Sequence, residues 1–183
     1  GQAKVTADFT MRNLGSETET MAARFPVGAS DGFGGIPQIT DFSVRVDGDQ
    51  RPTRTITGED PSGWADSVPW VEFDISFPSG EDVNIVVTYT IQGTGYYPFS
   101  YFTYILSTGA GWKDTIGSAD VIVRFPYEVN HQNVIIEPAD LGWSESSSGA
   151  LLSGKEVRWH YDDFEPAREN NIVVSIVAPD AWK

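Results

Sequence analysis

Cysteine is absent from this sequence, which removes a disulfide framework, a thiolate metal site and a cysteine nucleophile together. Histidine is scarce, with two residues, so any catalytic base of that type must be His131 or His160. Long apolar runs are missing too. No stretch approaches the roughly 20 residues that cross a bilayer as a helix, and no membrane insertion is expected within this segment. No signal-peptide pattern stands at the start, and Gly1 opens directly into strand-like sequence. That reads as the mature region of an exported protein. Positive charge is also in short supply: 12 Lys and Arg stand against 26 Asp and Glu, a net charge of −14. Such a surface repels phosphate backbones and anionic lipid, so nucleic-acid partners are not expected.

What the chain does have is a core-forming composition. Forty per cent of its 183 residues are hydrophobic and 13 % aromatic, which excludes a disordered chain. The apolar residues alternate with polar ones at period two. Val5, Ala7, Phe9 and Met11 form one face of the first segment, and Phe42, Val44 and Val46 one face of another. Val71 to Phe77, Val83 to Ile91, Val121 to Phe125, Val157 to Tyr161 and Ile172 to Ile176 repeat the pattern. Half-buried antiparallel strands read this way. Asn13-Leu14-Gly15, Asp47-Gly48-Asp49, Pro78-Ser79-Gly80 and Ser153-Gly154 punctuate them as turns. One helical turn near Pro138 to Leu141 is the only helical candidate. The expectation is an all-β protein, an antiparallel β-sandwich of immunoglobulin-like type.

Two internal echoes bear on domain organisation. Residues 77–89, FPSGEDVNIVVTY, resemble residues 164–176, FEPARENNIVVSI, and Ala23-Arg24-Phe25-Pro26 resembles Val123-Arg124-Phe125-Pro126. They suggest two packed halves, 1–92 and 93–183, meeting near Gly93-Thr94-Gly95; one continuous large sandwich is the alternative.

Tyr96, Tyr97, Phe99, Tyr101, Phe102 and Tyr104 crowd into one stretch, and Gly109-Ala110-Gly111-Trp112 follows. Such a cluster either cements a core or forms a surface for stacking on sugar rings and anchoring protein contacts. The candidate ligand-binding residues are therefore Tyr96, Tyr97, Tyr101 and Trp112. Trp112 is expected to fold back beside Tyr101 and Tyr104.

The order Tyr104-Ile105-Leu106-Ser107-Thr108-Gly109…Trp112…Ile116-Gly117, then Trp159…Asp163-Phe164-Glu165-Pro166, resembles exported bacterial proteins of uncharacterised activity with β-rich domains. Asn13, Phe25-Pro26 and Phe42-Ser43-Val44-Arg45-Val46-Asp47-Gly48 match their N-terminal part. The resemblance implies export and a β-sandwich, and carries no catalytic residues.

Catalytic signals are weak. Gly142-Trp143-Ser144-Glu145-Ser146 lacks the closing glycine of a nucleophile elbow. Asp162, Asp163, Glu165 and Glu169 supply carboxylates in number for glycoside hydrolysis, but Asp162 and Asp163 read better as the start of a turn. Asp47–Asp49 and Glu59–Asp60 are acidic loops without the spaced array that calcium favours. The sequence thus points to a secreted or cell-surface, non-catalytic module that meets a protein or glycan. No metal and no cofactor are expected. A carbohydrate-binding or carbohydrate-active protein is the alternative.

Overall fold

In a computed structural model, residues 1–28, 38–60, 66–136, 149–167 and 170–182 are described. The helical turn expected near Pro138, the Gly142–Ser146 stretch and Glu169 lie outside them. The chain divides into two compact units, Gly1–Gln92 and Gly93–Lys183.

In the first unit, strands β1 (Gln2–Arg12), β3 (Ile39–Val46), β4 (Asp49–Gln50) and β7 (Asp82–Gln92) form a sheet ordered β1-β7-β3-β4. Strands β2 (Glu19–Pro26), β5 (Arg54–Gly58) and β6 (Val68–Phe77) form a second, ordered β2-β6-β5. Every ladder between these strands is antiparallel. The apolar face of β6 (Val71, Phe73, Ile75, Phe77) and that of β7 (Val83, Ile85, Val87, Tyr89, Ile91) are buried. Phe25 of β2 lies 5.5 Å from Tyr89 of β7, so side chains of the two sheets meet in one core.

The second unit contains β8 (Phe99–Tyr104), β9 (Ile116–Arg124), β10 (Val134–Ile135), β11 (Leu151–Ser153), β12 (Glu156–Phe164) and β13 (Ile172–Val177). Its sheets run β10-β13-β8 and β11-β12-β9, again antiparallel throughout. Val157 and Trp159 of β12 join Val134, Ile136, Ile172 and Val174 in one buried cluster. Trp159, at 1 % exposure, is the largest of the fully buried side chains.

The strand order recurs. With β8 set against β1, β9 against β2, β10 against β3, β11 against β5, β12 against β6 and β13 against β7, both units have the same neighbours. Among the described residues, β4 alone has no counterpart. The longer sequence echo falls on the β6–β7 and β12–β13 connections, and the shorter one on the ends of β2 and β9. Arg24 pairs with Glu72 across β2 and β6, and Arg124 with Glu156 across β9 and β12, so the ion pair recurs with the strands.

The turns follow their residues. Asp47 and Gly48 take φ of 51° and 86°, the left-handed pair that a two-residue hairpin demands. The Asp47 carboxylate accepts a hydrogen bond from the Asn84 backbone N–H at 2.9 Å, which occupies one oxygen of that acidic loop in fixing the turn. Asn13 is buried, and its amide donates to the carbonyls of Glu17 and Phe77 while accepting from the Gly15 N–H. Phe9 departs from the sequence reading: it stays 39 % exposed although it shares a face with buried Ala7. β1 ends its sheet, so its inner face has a neighbouring strand on one side only.

Candidate functional site

The aromatic stretch begins ahead of β8, where the chain doubles back on itself. Thr94 and Tyr101 exchange backbone hydrogen bonds at 3.0 and 2.6 Å, and the Phe99 N–H donates to the Tyr96 carbonyl at 2.8 Å. Tyr96-Tyr97-Pro98 forms the tip of this reversal, and the Tyr97–Pro98 peptide is cis. From the other side, the Ala178 N–H donates to the Pro98 carbonyl at 2.7 Å. Gly95, at φ 116°, lies over the Tyr101 ring; a Cβ there would approach the ring to 2.5 Å. The left-handed backbone and this close approach both call for glycine.

On this framework the side chains point into water. Tyr96 is 77 % exposed and Tyr97 72 %, whereas Phe99 and Tyr101 are 37 % and 36 % exposed, with ring centroids 6.5 Å apart. The Tyr97 hydroxyl donates to an Asp180 carboxylate oxygen at 3.4 Å, a long bond. Behind Asp180, the Trp182 indole N–H donates to the Val177 carbonyl, and the ring stands edge-on to Tyr127 at 4.6 Å. The tip therefore has a fixed backbone, a packed aromatic base and exposed phenol rings.

The structure does not bring Trp112 to this group. Trp112 follows a 3-10 turn over Ser107–Gly111, beyond the opposite end of β8. Six strand residues separate the two ends, about 20 Å of chain. The neighbouring Ser107 N–H donates to the Asn171 side chain just ahead of β13, while Pro98 meets Ala178 just after it. Trp112 is 39 % exposed. Of the four candidate residues, Tyr96, Tyr97 and Tyr101 share one end of the unit and Trp112 stands at the other.

Two polar arrays escaped the sequence reading, because their members are far apart in the chain. On the outer face of β2-β6-β5, Glu72 accepts from Arg24 at 2.7 Å and from Arg54 at 2.7 Å, and Arg54 also reaches Asp74 at 2.9 Å. The hydrogen bond from Arg24 holds the Glu72 carboxyl below the ordinary carboxylate value, and Arg54 does the same for Asp74. Beside this array, the Trp70 indole lies on Gly58 and donates to the Glu59 carbonyl at 3.0 Å. Arg24, Gly58, Glu59 and Trp70 line an open groove of about 450 Å³.

The second array is on the outer face of β9 and β12. His160 stands opposite Asp120, with Nδ1 3.1 Å from Asp120 and Nε2 3.1 Å from Asp162. The hydrogen bond to Asp120 and the charge of Asp162 raise the imidazole above its ordinary 6.5. A raised value means that protonated His160 stabilises the fold fully below 6.5, and that this contribution disappears as pH rises through the higher folded value. We expect the melting temperature to fall over that interval, and His160→Gln to remove this component of the pH dependence. A pH profile unchanged by the substitution would contradict the assignment.

Both ring nitrogens of His160 thus face carboxylates. Asp163 accepts a hydrogen bond from Thr115 Oγ1 at 2.6 Å and takes φ 43° inside β12, so the turn expected to begin at Asp162 and Asp163 is instead a local backbone irregularity within the strand. Among the described residues no group of three or more His, Asp or Glu side chains is placed to hold a metal ion. No helix among them is long and apolar enough to cross a membrane.

The chain is an all-β, sandwich-like protein of antiparallel sheets. No family model and no curated protein matches it. Among solved structures it is similar to a protein of Legionella pneumophila described as "a putative nutrient binding protein", with a TM-score of 0.74 at 20 % identity. The match covers 94 % of this chain and 60 % of that one, so this chain spans less than two thirds of its neighbour's length. At that identity the likeness concerns the fold.

Proposed function

We propose that this chain is a non-catalytic interaction module of an exported bacterial protein, working outside the cell or at its surface. Its contact surface is the aromatic tip formed by Tyr96 and Tyr97, with Tyr101 and Phe99 at its base. One observation carries the reading: two tyrosines 77 % and 72 % exposed stand on a backbone fixed from both sides. Rings held out in water on a rigid support lose little freedom when they meet a partner, and tyrosine combines apolar area with a polar hydroxyl. The nutrient-binding description of the Legionella neighbour fits a binding role, and the run from Tyr104 to Trp112 fits the exported β-rich proteins.

The partner is a protein or glycan at the cell surface. Exposed phenol rings beside the Asp180 carboxylate suit a sugar, which stacks its apolar face and donates its hydroxyls. The test is binding of the chain and of Tyr96→Ala/Tyr97→Ala to an array of defined bacterial glycans and to intact bacterial cells. The reading expects the parent to bind and the double variant to lose at least tenfold in affinity at an unchanged melting temperature. Equal binding by both proteins would remove the tip from the contact.

A further inference from the structure

Sheet edges that end in water are usually blunted by a bulge, a proline, a short strand or an inward charge. The β1-β7-β3-β4 sheet has one edge of that kind. β3 carries a register shift between Thr40 and Ser43, and β4 beyond it is two residues long. The opposite edge is different. β1 runs for 11 residues without glycine or proline, and its register with β7 is unbroken from Gln2 to Arg12. No other strand among the described residues pairs with its free side. Of the three charges on β1, Arg12 is paired with Asp82 of β7 at 2.6 Å and Asp8 accepts a hydrogen bond from the Asn84 amide at 2.6 Å, while Lys4 belongs to no ion pair among the described residues.

From this edge we propose that two copies of the chain associate through β1, antiparallel about a two-fold axis at Thr6, making one continuous sheet. Residues directly opposite in an antiparallel pair lie on the same face, so registers that keep the inner face continuous pair even numbers with even numbers. Among these, the register centred on Thr6 sets Lys4 opposite Asp8 on each side of the axis, Thr6 opposite Thr6 and Gln2 opposite Thr10. On the inner face it sets Val5 opposite Ala7 and Ala3 opposite Phe9, whose ring is 39 % exposed in the single chain. Opposite charges and threonine pairs facing each other are the favourable cross-strand combinations. Centring on Ala7 brings no charges opposite one another. Centring on Asp8 sets Asp8 against itself and Lys4 against Arg12. Charge complementarity therefore selects both the occupant, a second β1, and its register.

The interface is isologous and small, so the dimer is weak, with Kd on the order of 100 µM. At about 0.15 M salt the Debye length of about 8 Å screens the mutual repulsion of two acidic chains, while charges in contact are screened less.

Because the chain lacks cysteine, Thr6→Cys introduces a single thiol on the axis. Directly opposite Cβ atoms lie about 4.5–5.5 Å apart, near the span of a disulfide. Under mild oxidation of the folded protein, Thr6→Cys is expected to give a covalent dimer, while Thr10→Cys, which would face Gln2, stays monomeric. Adding Lys4→Glu should slow cross-linking at least tenfold, and adding Asp8→Lys to that variant should restore it. Sedimentation of the cysteine-free parent and of Lys4→Glu supplies a second reading, with association in the parent and none in the variant. Equal cross-linking at positions 6 and 10, indifference to Lys4→Glu, or a parent monomeric at about five times the expected Kd would each overturn the proposal.

Discussion

Trp159→Ala is expected to destabilise the second unit by about 3–5 kcal/mol, the usual cost of removing a large aromatic ring from a core. The indole is 1 % exposed on the inner face of β12, in one cluster with Val134, Ile136, Val157, Ile172 and Val174. β12 is the middle strand of its sheet, and Trp159 stands opposite Val121 of β9. Truncation to a methyl group leaves a cavity bordered by both sheets, which strands anchored by ladders on either side cannot collapse to fill. A urea midpoint near that of the parent would show that the ring contributes little, and that the inner face of β12 has been assigned to the wrong residues. A one-residue slip in register would have that effect.

Phe73→Ala is expected to cost the first unit a similar amount, about 3–5 kcal/mol. Phe73 is 4 % exposed near the middle of β6, opposite Ala23 of β2 and one residue beyond the ladder with β5. The small side chain at Ala23, directly opposite, leaves the ring its space. On the reverse side of the same strand, Glu72 and Asp74 hold Arg24 and Arg54. Those groups are untouched by the substitution, so the loss reports the apolar face alone. Denaturation of Phe73→Ala with a parent-like midpoint would place the core of this unit elsewhere.

Much of the fold was legible because its signal is local. Alternation along Val71–Phe77 and Val83–Ile91 reports which face is buried, whatever strand lies alongside, and Asp47-Gly48 encodes its hairpin by backbone preference. The echo between residues 77–89 and 164–176 was visible too, and it falls on equivalent connections of the two units. Edge effects were not legible. Phe9 has the phase of an inner-face residue, yet exposure there depends on β1 being last in its sheet, a property of the whole topology. The ion array of Arg24, Arg54, Glu72 and Asp74 joins residues up to 50 positions apart, and only strand pairing puts them side by side.

The candidate site was partly legible. Crowding of aromatics from Tyr96 to Tyr104 marked the right segment, but composition does not distinguish a strand from the reversal that precedes it. Tyr96 and Tyr97 precede β8 and are exposed; Phe102 and Tyr104 lie within it and are half-buried. Trp112 was grouped with Tyr96, Tyr97 and Tyr101, but it follows the 3-10 turn that comes after the far end of β8, whereas those tyrosines lie before the strand or in its first half.

A preformed contact surface requires the tip to be rigid as well as exposed, since a floppy loop would lose on binding the freedom that this framework has already removed. Backbone NMR order parameters across residues 94–101 test that directly. With the Thr94–Tyr101 pair, the Phe99–Tyr96 bond and the Ala178–Pro98 bond all in place, Tyr96 and Tyr97 should show values near 0.85, like the strands beside them. Values below about 0.6 at Tyr96 and Tyr97, with β8 itself rigid, would contradict a preformed contact surface.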